Sequence, residues 1–124
     1  MNDKRNIDKQ RDFEDRLKNY SLKVLELINL LPKNKGNNIY GTQLIRSSSS
    51  VGANYAEATC AHTKPDFLHA INISRKEARE SVYWLELLQA TNPKFNNIID
   101  PVLDEGQQIF KIFMSSVKTA KNKK

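Results

Sequence analysis

The chain of 124 residues is 39% hydrophobic and 27% charged, which excludes a disordered protein and suits a single globular domain. No apolar run approaches the roughly 20 residues that a membrane-spanning helix needs, and the single cysteine, Cys60, excludes a disulfide framework, so we expect a protein of the reducing cytoplasm. The net charge of +6 is divided equally between the two halves and is compatible with an anionic partner.

The first quarter of the chain has apolar side chains at alternating intervals of four and three residues, a spacing that places them on one face of a helix. This pattern predicts a first helix over about residues 8–31, after a charged lead-in over residues 1–7. Pro32 ends the helix, and Lys33 and Lys35 lie in the turn that follows. The predicted seam consists of Phe13, Leu17, Tyr20, Val24, Leu27 and Leu31.

The second predicted helix, over about residues 38–60, is built from unusually small side chains. Four serines occupy positions 47–50, and Gly52 and Ala53 follow closely, so the intrinsic helix propensity is low. Small side chains on one face let a neighbouring backbone approach, and we expect tight packing to offset the low propensity. The residues that share this face are Leu44, Ser48, Val51, Tyr55 and Ala58.

A third helix is predicted over about residues 65–91 and a fourth over about residues 98–117, followed by a basic tail over residues 118–124. Thr63 is a suitable N-cap for the third helix, and Asp66 places an acid in its first turn. No alternation typical of β-strands competes with these patterns. Four amphipathic helices with short connections predict an all-α fold, an antiparallel up-and-down four-helix bundle.

Charged side chains on the second, third and fourth helices suggest a polar network inside the bundle. Arg46 and Glu57 lie three helical turns apart on one side of their helix. Because buried charges must be paired, we expect such groups to hold one another and to fix the register of the helices rather than to catalyse a reaction. The predicted members are Arg46, Asn54, Glu57, Glu77, Glu80 and Glu105.

The sequence contains no arrangement of residues typical of an enzyme. Helical bundles that hold two metal ions use Glu-x-x-His pairs, and neither His62 nor His69 stands in such a pair. The serines lack a G-x-S-x-G context, and there is no glycine-rich phosphate loop or Cys-x-x-Cys pair. We therefore expect a non-enzymatic protein without cofactor or metal, and a metal-dependent bundle is the least favoured alternative.

Lysine is concentrated in the turn after the first predicted helix and at the end of the chain, and no acidic residue occurs in either stretch. Such groups can bind phosphates with little sequence specificity, although a lysine-rich surface that serves only solubility gives the same pattern. For Trp84, burial or a subunit contact is favoured over stacking on bases. The candidate nucleic-acid contacts are Lys33, Lys35, Lys118, Lys121, Lys123 and Lys124.

Two stretches of the central helices resemble a known family. The second helix contains R-S-x-x-S-x-x-A-N-x-x-E-A within QLIRSSSSVGANYAEA, and the third contains K-E-x-x-E-x-x-Y-W-L within KPDFLHAINISRKEARESVYWLELL. Both patterns resemble the four helix bundle protein family, and the likeness extends from about Phe13 to Val117. That family includes proteins encoded in intervening sequences of bacterial large-subunit ribosomal RNA genes and the accessory variability determinant protein of diversity-generating retroelements.

The resemblance implies an antiparallel bundle that assembles into a ring-shaped homopentamer with a basic surface. It also implies a class of partner, because the retroelement member is understood to bind nucleic acid and its reverse transcriptase. We therefore expect a self-associating protein, a pentamer, that contacts RNA, DNA or a nucleoprotein partner. The alternative is a protein-interaction scaffold with no role in nucleic-acid binding, whose charge only aids solubility.

Overall fold

The computed structural model describes residues 2–122, with side chains from residue 4 onward. Four long helices follow one another; each contacts the next, and the first also contacts the fourth. The short connections make neighbouring helices antiparallel, so the predicted all-α up-and-down bundle is confirmed. The helices are α1 (Asn2–Leu30), α2 (Lys35–Thr59), α3 (Lys64–Thr91) and α4 (Asn96–Asn122), and a short 3₁₀ helix (Pro93–Phe95) precedes α4.

Capping side chains set where the two central helices begin. The side chain of Asn34 accepts a hydrogen bond from the backbone N–H of Asn37 at 2.9 Å, so α2 begins at Lys35, earlier than the sequence pattern predicted. Thr63 accepts a hydrogen bond from the backbone N–H of Asp66 at 3.2 Å, as predicted for the N-cap of α3.

The first and fourth helices are longer than the sequence pattern predicted. α1 already begins at Asn2, because the apolar seam shows where a helix packs and not where it ends. α4 begins at Asn96, directly after the 3₁₀ helix, and continues through Pro101 to Asn122. The predicted basic tail is therefore helical up to Asn122. None of the described helices has an apolar stretch long enough to cross a membrane.

The predicted seams form the core of the bundle. On α1, the seam residues Leu17 and Tyr20 are fully buried. Near the start of this seam, the ring of Phe13 packs edge-on against Tyr55 of α2, with centroids 4.9 Å apart, and lies 5.5 Å from the ring of Phe113 on α4. These three rings join α1, α2 and α4 through a large apolar contact.

Buried serines bring helix backbones close together. The serines without exposed surface are Ser47, Ser48, Ser74 and Ser81. Oγ of Ser74 on α3 donates to the backbone carbonyl of Val51 on α2 at 2.9 Å, so one short side chain spans the contact between these helices. Oγ of Ser21 on α1 donates to the carbonyl of Ser48 at 3.0 Å. This arrangement agrees with the predicted close packing along the small residues of α2.

One tyrosine crosses the core from α1 to α3. The hydroxyl oxygen of Tyr20 lies 2.8 Å from Oγ of Ser81, and burial raises the pKa of Tyr20 to about 12. Gly106 of α4 leaves room for this hydroxyl group, since a Cβ atom there would stand 2.5 Å from it. Gly106 therefore accommodates a hydroxyl group from α1.

Two asparagines join the turns at one end of the bundle. Nδ2 of Asn37 donates to Oδ1 of Asn92 at 2.9 Å, and Nδ2 of Asn92 donates back to Oδ1 of Asn37 at 2.8 Å. The same amides donate to the carbonyl groups of Pro32 and Leu88, each at 2.9 Å. This pair fixes the α1–α2 turn against the end of α3.

Candidate nucleic-acid interface

The lysines predicted to contact nucleic acid lie at opposite ends of the bundle. Lys33 and Lys35 belong to the α1–α2 turn and the start of α2, whereas Lys118 and Lys121 lie in the last turns of α4. α4 ends at the far end from that turn, and its 27 residues span about 40 Å at about 1.5 Å per residue. The two groups therefore cannot form one patch. The remaining candidates, at positions 123 and 124, lie outside the described residues.

The first group is joined by a lysine that the sequence pattern did not single out. Lys94, in the 3₁₀ helix, is exposed, as are Lys33 and Lys35. The hydrogen bonds between Asn37 and Asn92 hold the two segments at the same end of the bundle. This end carries three positive charges that are spread over two turns.

The second group lines a shallow groove of about 320 Å³ between α3 and α4, which we call the α3/α4 groove. Its lining residues are Asn72, Arg75, Met114, Val117, Lys118 and Lys121. Nε of Arg75 donates to Oδ1 of Asn72 at 3.1 Å, which holds the guanidinium group against α3. None of the lining residues is acidic, and within the described residues no carboxylate forms an ion pair with the cations of the groove.

Arg75 is the contribution of α3 that the sequence pattern did not mark as a nucleic-acid contact. The signal was present in the sequence, because no acid occurs between Asp66 and Glu77, while Arg75 and Lys76 fall within that stretch. The sequence did not reveal that α3 packs against the end of α4. This packing places Arg75 beside Lys118.

The outer face of α2 and α3 gathers half of the predicted polar network. Nη1 of Arg46 lies 3.0 Å from Oε2 of Glu77, and Nη2 contacts Glu80. Nε1 of Trp84 donates to Oε2 of Glu80 at 3.2 Å, and the ring of Tyr40 stacks on Trp84 with centroids 5.9 Å apart. Arg46 keeps 45% of its side-chain surface exposed. This cluster therefore lies at the surface, which corrects the prediction of an internal network.

The other predicted members of the network lie elsewhere. Glu105 of α4 accepts two hydrogen bonds from Arg16 of α1, at 2.9 Å from Nε and 2.8 Å from Nη2, and these bonds raise the pKa of Arg16. Asn54 donates to the carbonyl of Ser50 in its own helix, and Glu57 is exposed. The predicted network is therefore divided over separate places. The spacing along each helix predicted which face a residue occupies, but it did not predict which helix packs against that face.

The connection between α2 and α3 borders a depression with several residues of the types that ligate metals. These residues are Glu57, Cys60, His62, Asp66 and His69. In the part of the chain that the structure describes, however, no three such side chains are placed to hold a metal ion. The depression therefore offers no candidate metal centre.

A second groove, of about 410 Å³, runs between α1 and α2 and is largely apolar. Its α2 side is formed by small residues, among them Gly52 and Ala53. On its α1 side, Leu22 keeps 63% of its surface exposed, and Leu25, one turn further along, keeps 45%. Exposed leucines beside a groove of small residues are typical of a protein contact surface.

The model of a known protein family covers most of the chain, including the motifs of α2 and α3. The chain matches the model of the 23S rRNA-intervening sequence protein over residues 12–115. The chain belongs to this family. The chain is also similar to a solved structure, that of a protein of unknown function from the S23 ribosomal protein family of Bacteroides thetaiotaomicron. It is 30% identical, with a TM-score of 0.78, and the match covers 89% of this chain and 98% of that chain. No curated protein matches the chain.

Proposed function

We propose that this intervening-sequence protein is a non-enzymatic, self-associating bundle that binds the phosphate backbone of nucleic acid. The observation that carries the proposal is the distribution of its charges. The less exposed carboxylates Glu77 and Glu105 are already engaged by arginines, while the candidate lysines that the structure describes lie on the outer surface. The surplus positive charge is therefore available to an anionic partner. Lysine and arginine bind the phosphates of nucleic acid independently of the base sequence.

Self-association is supported by the apolar surface that the bundle leaves exposed. The α1/α2 groove with Leu22 and Leu25 is one such surface. Tyr83 on α3, which is 49% exposed and adjacent to the ring of Trp84, provides a second exposed surface on a different helix. A ring needs two different faces on each subunit, since a head-to-tail contact repeats until it closes. A homopentamer in the cytoplasm is the assembly we propose.

The proposal is tested by light scattering combined with a binding titration. We expect a mass about five times the 14.3 kDa of one chain, as the proposed ring of five identical subunits requires. Labelled RNA and DNA, titrated at two salt concentrations, should bind with an affinity that falls steeply as salt rises. A monomer, or a protein that ignores both nucleic acids at low salt, would contradict the corresponding half of the proposal.

A protein-interaction scaffold is the second candidate, and one surface favours it. The rings of Tyr40 and Trp84 stack next to the ion pairs of Arg46. Ile39 and Tyr83, which directly precede these two aromatic residues in the sequence, are about half exposed. Tyrosine, tryptophan and arginine are the residues that dominate binding energy at protein interfaces. If the protein binds neither RNA nor DNA and this surface is not covered by self-association, it is where a protein partner should be sought.

A further inference from the structure

We propose that the α3/α4 groove is the surface with which the protein contacts nucleic acid, and that its ligand is the phosphate backbone of a duplex. This inference rests on the proposed function and names the surface that performs it. The groove is concave, it is lined by three cations and one amide, and no acid lines it. The other lysine group, around Lys33, lies at the opposite end of the bundle.

Lys118 and Lys121 line the groove, and Lys111 extends their row along α4 beyond the lining. Lys111, Met114, Lys118 and Lys121 follow one another at intervals of three and four residues, so they share one face of the helix. The rise of about 1.5 Å per residue puts Lys111 and Lys121 about 15 Å apart along the axis, which corresponds to about four phosphates of one strand at about 3.4 Å per base pair. The three lysines therefore extend over a length that matches several phosphates of one strand.

Among the described residues, no carboxylate lines the groove. From Gly106 to Asn122 the sequence of α4 contains no carboxylate. On α3, Glu77 and Glu80 face α2, where Arg46 binds them. A polyanion that approaches the groove therefore meets three positive charges that form no ion pair with a described carboxylate.

Arg75 gives the groove its most directional donor. Its Nε is occupied by Asn72 at 3.1 Å, and its terminal nitrogens form no ion pair with a described residue. A guanidinium group held at one nitrogen retains a fork of donors that matches two phosphate oxygens. Arg75 and Lys118 can therefore contact one strand from both sides of the groove.

The lining of the groove favours a duplex over a single strand. Proteins that bind single strands without sequence preference stack the bases on aromatic side chains, and none of the six lining residues is aromatic. A duplex keeps its bases stacked and offers only its backbone to such a surface. The groove therefore fits the exposed phosphates of a double helix.

The test compares two triple variants that remove the same number of charges. The groove variant carries Arg75→Gln, Lys118→Gln and Lys121→Gln, and the turn variant carries Lys33→Gln, Lys35→Gln and Lys94→Gln. Labelled duplexes of RNA and of DNA, and a single strand of equal length, are titrated at about 50 and 200 mM salt. Thermal unfolding followed by circular dichroism verifies that both variants fold.

We expect the groove variant to lose at least about tenfold in duplex affinity at the lower salt, and the slope of log affinity against log salt to fall by about 2 to 3, since each phosphate contact contributes about 0.9. The turn variant should lose clearly less, because its charges act only through the general field. Lys118→Gln alone should lose a smaller part of the affinity than the triple, which keeps the test valid if the triple folds poorly.

The possible failures are distinguishable. If the wild-type protein binds no nucleic acid at low salt, the proposed function and this inference both fall. If it binds duplex but the turn variant loses more than the groove variant, nucleic-acid binding stands and the groove assignment is wrong. If single strand binds as tightly as duplex, or polyglutamate of matched charge does, the assignment of a duplex backbone is overturned.

Discussion

The interior of the bundle and the α3/α4 groove differ in whether their polar groups have partners within the chain. In the interior, Tyr20 is bonded to Ser81 and Asn37 to Asn92, and among the described residues every buried side-chain polar atom except Oδ1 of Asn96 has a hydrogen-bond partner. In the groove, the cations form no ion pair with any carboxylate in the part of the chain that the structure describes. The difference separates groups that serve folding, which are satisfied within the chain, from groups that are available to a ligand.

The net charge of +6 indicates less about possible ligands than the local pairing of charges does. The same chain has basic residues on both flanks of α3. Toward α2, Arg46 is held by Glu77 and Glu80; toward α4, Arg75 faces lysines. The variants below test whether interior groups matter for stability while surface groups do not.

The largest effect is expected at the asparagine pair. Asn92→Ala removes both hydrogen bonds to Asn37 and leaves its amide partly unsatisfied in a buried place, so we expect the free energy of unfolding to fall by about 3 kcal/mol. Chemical denaturation measures this change. Asn37→Ala with Asn92→Ala should cost less than the sum of the two single changes. A loss of less than about 0.5 kcal/mol for Asn92→Ala would show that the pair does not hold the turns together.

Alkaline pH should act through the buried phenol. Burial raises the pKa of Tyr20 to about 12, and the nearby Glu105 adds to this increase while the hydrogen bond to Ser81 opposes it. The unfolded chain ionises near its ordinary pKa of about 10, so the stability present below pH 10 is lost as pH rises toward 12. The loss reaches about 3 kcal/mol at most. Relative to the wild type, Tyr20→Phe should lack this loss, and parallel curves for the two proteins would contradict the assignment.

A glycine beside the same phenol provides the next test. Gly106→Ala would place a Cβ atom 2.5 Å from the hydroxyl of Tyr20, and we expect a net loss of about 2 kcal/mol despite the better helix propensity of alanine. Gly52→Ala is the matched control, since its Cβ would meet Leu17 at an ordinary 3.4 Å and should be neutral or stabilising. Combining Gly106→Ala with Tyr20→Phe should restore part of the loss. Equal effects of the two glycine changes would mean that the hydroxyl can move aside.

The smallest effects are expected on the surface. Glu57→Ala should change the free energy of unfolding by no more than about 0.5 kcal/mol, because Glu57 is exposed. Glu77→Ala removes one partner of Arg46 and should cost about 0.5 to 1 kcal/mol. Thermal or chemical unfolding of both variants measures the difference. A loss above about 2 kcal/mol for Glu57→Ala would place that residue in the structural network after all.

The periodicity of the sequence was sufficient to predict the fold, since the seam from Phe13 to Leu31 identified the buried face of α1. The Thr63 cap was equally visible. Helix ends were not, because an N-cap such as Asn34 competes with several nearby asparagines in the same turn. Partners across helices were also hidden, because spacing within Arg46–Glu57 defines a face but not which helix packs on it.

The candidate interface was only half predictable from the sequence, for the same reason. Lys118 and Lys121 are recognisable as a run of lysines without acids, and this run could not be distinguished from a solvated tail. The groove arises because α3 runs beside α4, which places Arg75 next to residues more than forty positions away in the sequence. The lysines of the first turn show the same local signal and yet lie at the far end of the bundle.

The most direct test of the central claim is lysine protection read by mass spectrometry. The wild-type protein is acetylated briefly at low salt, with and without a saturating duplex, and the modification of each lysine is compared. We expect the duplex to protect Lys111, Lys118 and Lys121, while Lys33 and Lys35 react equally in both samples. Protection of Lys33 and Lys35 in place of the α4 lysines, or no difference at any lysine despite bound duplex, would contradict the account.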